Sequence, residues 1–257
     1  MQLQSIAELV NPGDKVISIT GAGGKTSLMF LLANDLADNG KRVVSTTTTR
    51  ILPPHRTETG GLVLKIRNAN FLKRIKSRLD KAHHVTAAYR NINGLGKLEG
   101  LDPIQAQELP DLVAAAHIVI EADGAAMRPL KAPGEHEPVV PPKTNLHIGV
   151  MGLDSIGRPL DKKHAFRSEL IAELAGVPEG ETITPDVLAH LAVADLGAFK
   201  GCPEGARKVL VLNKADQPGA EEAALAVMKA AEELPGIQPD MWVVASIKER
   251  RFQLLFR

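Results

Sequence analysis

The chain has 257 residues, 44% of them hydrophobic and 24% charged, with 31 basic against 30 acidic residues and a formal net charge of +1. That balance excludes a global field drawing in nucleic acid or an anionic membrane. The lone Cys202 excludes an internal disulfide, the 3% aromatic content argues against stacking platforms for single-stranded nucleic acid, and no apolar run reaches the roughly 18–20 residues that span a bilayer. A reducing, cytoplasmic setting is expected.

Apolar runs alternate with helical patterns, which predicts an α/β fold built from βα units, a mostly parallel sheet flanked by helices. Lys15 to Thr20 reads as a strand, followed by glycines and by a helix in which Leu28, Leu31, Leu32 and Leu36 share a face and Gly40 ends the run. Arg42 to Thr49, with four consecutive threonines, reads as a second strand. From Asn70 to Lys81, Leu72, Ile75 and Leu79 form an apolar stripe on a basic, solvated helix. Further strands are expected at Val85 to Tyr89, Ile118 to Ile120, Leu146 to Met151 and Val209 to Leu212. The five prolines between Arg128 and Pro142 predict an irregular loop. A helix over Ala220 to Leu234 and a last strand over Met241 to Ala245 complete the pattern, and no linker interrupts it, so one domain over residues 1–257 is expected.

The strongest local signal lies between the first strand and first helix, at Gly21-Ala22-Gly23-Gly24-Lys25-Thr26-Ser27. Glycines there let backbone N–H groups approach phosphate oxygens, and the helix N-terminus adds its positive dipole end. Lys25 is placed to reach the β- and γ-phosphates as a catalytic cation, and Thr26 to complete a Mg²⁺ shell. Ile19 stands where the full phosphate-loop pattern has glycine, leaving a shorter Gly-x-x-Gly-Lys-Thr form. That form is similar to the loop of Mur-type ATP-dependent ligases and keeps ATP open as the alternative nucleotide.

The Val209 to Leu212 strand ends in Asn213-Lys214-Ala215-Asp216, which resembles the guanine-specificity motif of GTPases. A carboxylate at Asp216 suits the N1–H and 2-amino donors of guanine, Asn213 the 6-oxo side and the loop, and the Lys214 stem the base plane. Ala245 and Ser246 follow the next strand, where a small-residue loop near the 6-oxo group belongs. The Ile118 to Ile120 strand closes on Glu121 and Asp123; strand alternation sends both carboxylates to one side, and Asp123, nearer the C-terminal end, is the preferred metal ligand with Glu121 second. Arg128 and Lys131 follow as candidate catalytic cations that neutralise γ-phosphate charge in cis or bind an anionic substrate. Thr46 to Thr49 offer hydroxyls to metal or phosphate. His136, His164 and Arg167 flank these loops, the histidines without a partner at metal-ligand spacing.

Taken together, Ile19 to Ser27, Ser45 to Ile51, Ile120 to Pro141 and Leu212 to Asp216 resemble the YqeC family, whose members are regarded as accessory proteins of selenium-dependent hydroxylases. The resemblance runs from Val16 through the Met241 strand, and Glu121 to Pro133 is its most specific part. It implies a P-loop NTPase-like fold and a partner among molybdenum hydroxylases or their maturation factors, although no residue spacing shows selenium or molybdenum chemistry. The residues themselves point to Mg²⁺-dependent binding and hydrolysis of GTP. An ATP-dependent ligase or small-molecule kinase, and a non-hydrolysing nucleotide-gated chaperone or adaptor, are the rival readings. Lys248 to Arg257 match no family feature, and their role stays open.

Overall fold

The structure is a computed structural model describing residues 1–92 and 94–255. The ten strands of its main sheet are β1 (Gln2–Leu3), β2 (Val16–Gly21), β3 (Val43–Thr47), β4 (Leu62–Leu64), β5 (His84–Ala88), β6 (His117–Glu121), β7 (Leu146–Gly152), β8 (Arg207–Asn213), β9 (Met241–Ser246) and β10 (Arg251–Leu255). Their spatial order is β1-β10-β9-β8-β7-β2-β6-β3-β5-β4. Every neighbouring pair is parallel except the two made by β10, which runs against β9 and against β1. The Met241 strand is therefore not the last. The first and final strands pair with one another, and the two residues beyond β10, 256 and 257, lie outside the described part of the chain.

Alternation along the strands sorts side chains onto two faces. Ile17, Ile19, Val43, Val119, Val209 and Val211 pack on one side with α1 (Lys25–Asp38) and the short 3-10 helix Ile6–Leu9. On the other side Val16, Val44, Ile118 and Ile120 meet α2 (Phe71–Ala82) and α3 (Pro103–Val113). Leu210, Leu212 and Val244 meet α5 (Pro185–Val193) and α6 (Ala220–Glu232), with α4 (Ser168–Ala175) packed alongside α5. The expected α/β class thus holds. A parallel sheet covered on both faces carries near-continuous apolar strands, and β3, β6 and β7 are buried at every position.

Two small pairings lie outside the sheet. Arg50–Ile51, Lys97–Glu99 and Arg90–Ile92 make a three-stranded antiparallel unit. Leu130–Lys131 pairs in parallel with Ala165–Phe166, so the proline-rich segment expected to be wholly irregular contributes two paired residues. Among the described residues, no helix is long and apolar enough to cross a membrane.

Two of the buried sheet histidines, His84 and His147, are held neutral. His84 Nδ1 lies 2.7 Å from Asn34 Oδ1 and its Nε2 2.9 Å from Ser45 Oγ. His147 Nε2 lies 2.7 Å from Thr20 Oγ1, and its ring meets Phe199 edge to face. Burial holds His84 down to about 4 and His147 to about 3. The unfolded chain, titrating near 6.5, takes up protons first, so stability is fully present above pH 6.5 and is lost as pH falls toward the folded values. Urea denaturation at pH 5.5 is expected to show a loss of about 1.4 kcal/mol per histidine relative to pH 7.5. His84→Gln should remove one share of that loss, and an unchanged stability at pH 5.5 contradicts the assignment.

Candidate functional site

In a parallel sheet the strands end on one edge, and here the C-terminal ends of β2, β6, β7, β8 and β9 deliver Gly21, Glu121, Gly152, Asn213 and Ser246 to it. Ligands of open α/β sheets bind at this edge. The turn from β2 into α1 fits between neighbouring backbones: a Cβ on Gly23 would lie 2.6 Å from the Gly152 amide nitrogen, and one on Gly24, at φ +132°, 2.4 Å from Asn213 Nδ2.

The amides of this turn divide into two groups. Gly21 N–H donates to Asp123 Oδ2 (3.0 Å), Ala22 N–H to the Val150 carbonyl (2.8 Å) and Gly23 N–H to the Arg128 carbonyl (3.2 Å). These three residues, expected to offer N–H groups to phosphate, instead fix the loop's shape. The first-turn amides of α1, at Lys25, Thr26 and Ser27, have no intrahelical carbonyl to bond. The amides left for a ligand are therefore those at the helix start, reached across Gly24.

Charged side chains crowd behind that start. Lys25 is buried, its Nζ donating to the Gly21 carbonyl (2.7 Å) and standing 3.3 Å from Asp123 and 4.0 Å from Glu121. Thr26 Oγ1 donates to Glu121 Oε2 at 2.6 Å. Burial pushes the Glu121 carboxyl above its ordinary range, against the pull of the Lys25 ammonium and the Thr26 bond. Glu121, rather than the preferred Asp123, is thus the carboxylate beside Thr26. The strand ends at Glu121, so alternation no longer governs Asp123, which turns to Lys25, Lys131 and the Gly21 amide. A hydroxyl and a carboxylate oxygen at 2.6 Å fit a hard cation such as Mg²⁺, which commonly takes one or two protein oxygens beside substrate phosphates.

Lys131 is not a free cation. Its side chain has no exposed surface, and it reaches Asp123 Oδ2 (2.8 Å), Glu137 Oε2 (2.6 Å) and the Gly124 carbonyl (2.6 Å). Glu137 also pairs with Arg167 (2.7 Å), and though burial raises its carboxyl, the bonds to Arg167 and Lys131 outweigh it and hold it low. Arg128 points away as well: its Nε donates to the Lys162 carbonyl (2.9 Å) and its Nη1 to that of Ala126 (3.2 Å). Its backbone carbonyl is what meets the glycine turn, at Gly23 N–H. The threonine run is structural in the same sense, with Thr46, Thr47 and Thr48 hydroxyls bonded to the carbonyls of Ala87, Glu121 and Val139. His136 is exposed, and His164 Nδ1 lies 2.8 Å from Asp161.

At the other end, Asn213 ties three segments together. Its Nδ2 donates to the Gly23 carbonyl (2.7 Å) and its Oδ1 accepts from Ile247 N–H (3.1 Å). Asp216 is exposed, and its Oδ1 accepts from Ser246 Oγ at 3.4 Å; Ala215 N–H donates to the Ala245 carbonyl at 2.9 Å. A cleft of about 680 Å³ runs from Gly23, Gly24 and Ser27 to Asn213, Lys214 and Asp216.

Two features escaped the sequence reading. Lys214 pairs with Asp154 (2.6 Å), and Arg250, beside Lys248 in the cleft wall, pairs with buried Asp35, which also accepts from Ser5 Oγ (2.6 Å). Asp154 follows the buried run of β7 at the same sheet edge, a position signal like that of Glu121. Nothing in local spacing joins Arg250 to Asp35.

A family model described as YqeC protein matches residues 17–169. The Escherichia coli (strain K12) YqeC protein is 35% identical over 204 residues, covering 79% of this chain and 77% of that protein. The chain belongs to the YqeC family. Among solved structures, FtsY from Mycoplasma mycoides is similar in two crystal forms, with TM-scores of 0.43 and 0.34 at 11% and 12% identity. Each match covers 94% of this chain, which spans 63% and 64% of those FtsY chains.

Proposed function

We propose that this YqeC-family chain, acting as one domain over residues 1–257, binds a nucleoside triphosphate with Mg²⁺, GTP in preference to ATP, and hydrolyses it. The observation that carries the reading is the single cleft joining the start of α1 to Asn213, Lys214 and Asp216. A triphosphate on the first-turn amides draws Lys25 off the Gly21 carbonyl, a short swing that exchanges one acceptor for a charged one. Thr26 and Glu121 would hold Mg²⁺, which supplies charge neutralisation to the phosphates. Asp216 reads the donor edge of guanine, Lys214 is steadied by Asp154, and Asn213 keeps the base end in register with the phosphate loop. Catalysis is then mainly positioning and electrostatics.

The role we assign to the hydrolysis, a step in maturing selenium-dependent molybdenum hydroxylases, is supported by family resemblance and by no residue of the site. The test of the nucleotide reading is calorimetric titration of the protein with GTP and ATP, each with and without Mg²⁺. GTP binding that strengthens with Mg²⁺ is expected. Tighter binding of ATP favours the ligase or kinase alternative, and binding without turnover favours the nucleotide-gated adaptor.

A further inference from the structure

The geometry points to Asp123 as the group that orients the water attacking the terminal phosphate, with buried Lys131 as its positioning residue; this rests on the hydrolysis reading above. Asp123 is 1% exposed. Its Oδ2 is doubly held, by Gly21 N–H at 3.0 Å and Lys131 Nζ at 2.8 Å. Its Oδ1 is buried and accepts no hydrogen bond among the described residues, with the Lys25 ammonium facing it at 3.3 Å. A carboxylate oxygen left this way is costly unless it is used.

The movement that brings Lys25 to phosphate uncovers that oxygen. Lys131 has no such freedom, since Glu137 and the Gly124 carbonyl hold its other donors, so the carboxylate plane stays fixed while Oδ1 opens. Other polar groups nearby are occupied: Glu121 by Thr26, Glu137 by Lys131 and Arg167, and Thr48 by the Val139 carbonyl. Asp154 Oδ1 also lacks a bond, but its carboxylate is tied to Lys214 at the base end. In the step itself, the water oxygen bonds to the terminal phosphorus as the bond from phosphorus to the bridging oxygen breaks. The electron pair stays on the diphosphate; one water proton remains on the attacking oxygen and the other passes to a phosphoryl oxygen, so both leave with the released phosphate. Asp123 accepts a hydrogen bond from the water and aligns it.

The isosteric Asp123→Asn substitution tests this, with GTP as the probe and nucleotide Kd, turnover and thermal midpoint all measured. Turnover is expected to fall about 100-fold with Kd within about threefold of the parent, the split an orienting group produces. A purely charge-balancing Asp123 is distinguished by the double variant Asp123→Asn with Lys131→Met, which removes opposite charges together while Glu137 keeps Arg167. Continued slowness in a folded double variant supports orientation, whereas restored turnover overturns it. Parent-like turnover in Asp123→Asn, or loss of Mg²⁺-dependent binding instead of turnover, also overturns it. A parent protein that binds GTP without hydrolysing it removes the hydrolysis reading, and this inference with it, before any variant is compared.

Discussion

Lys25→Ala is expected to weaken GTP binding by about 100-fold, because a charge-assisted contact to phosphate is worth about 1.5–3 kcal/mol and the proposed complex sets this ammonium against two phosphates at once. The contacts of Lys25 add a second consequence. Lys25 already lies within the turn it is to serve, anchored on the Gly21 carbonyl and facing Asp123 and Glu121. Removing it deletes the phosphate partner and leaves two buried carboxylates with less compensation, so the variant should also melt earlier. Lys25→Met keeps the stem's packing and separates the two effects: its melting should shift less while its GTP affinity falls as far. Calorimetry with GTP and Mg²⁺ checks both variants, and unchanged affinity in either removes the phosphate loop from the mechanism.

Asp216→Asn should lower GTP affinity by about 100-fold and raise that for xanthosine triphosphate, since the amide keeps one acceptor for N1–H but sets a donor opposite position 2, where xanthine carries an oxygen in place of the guanine amino group. Asp216 is exposed and its Ser246 contact is long, at 3.4 Å, so the fold has little stake in the substitution. A substitution at Asn213 would not be informative, because its amide holds the Gly23 carbonyl and the Ile247 amide together. Competition between the two nucleotides on parent and variant checks the prediction. No shift toward xanthine ends the guanine assignment.

Much of this arrangement was legible in residue order. Strands β2, β3, β5, β6, β7, β8 and β9 fall within one or two residues of their expected bounds because each is a short β-branched or apolar run bounded by turn residues. The helices between 100 and 195 were harder. Proline at 110 lies inside α3 and hides a start signalled by Asp102, whose carboxylate caps Ile104 and Gln105, and by Pro103 in the first turn. Pro185 in the first turn marks the start of α5, but Thr184 before it makes no side-chain capping bond and the helix residues, mostly apolar, show little periodicity. In the site, the motifs located the loops but not the partners of their side chains. Whether Lys131 faces solvent or Asp123 depends on the pairing of Leu130–Lys131 with Ala165–Phe166, a contact across 35 residues that no local pattern encodes.

Lys25, Lys131 and Arg167 stand against Glu121, Asp123 and Glu137 behind the start of α1. On the proposed reading, a cluster whose cations and carboxylates already face one another offers an incoming polyanion oriented dipoles instead of surplus charge. Simple anions such as chloride or sulfate then find little to hold them, and capture depends on matching several points at once. Discrimination of this kind survives physiological salt, because screening erodes long-range attraction far more than contacts made inside a dry, close-fitting turn.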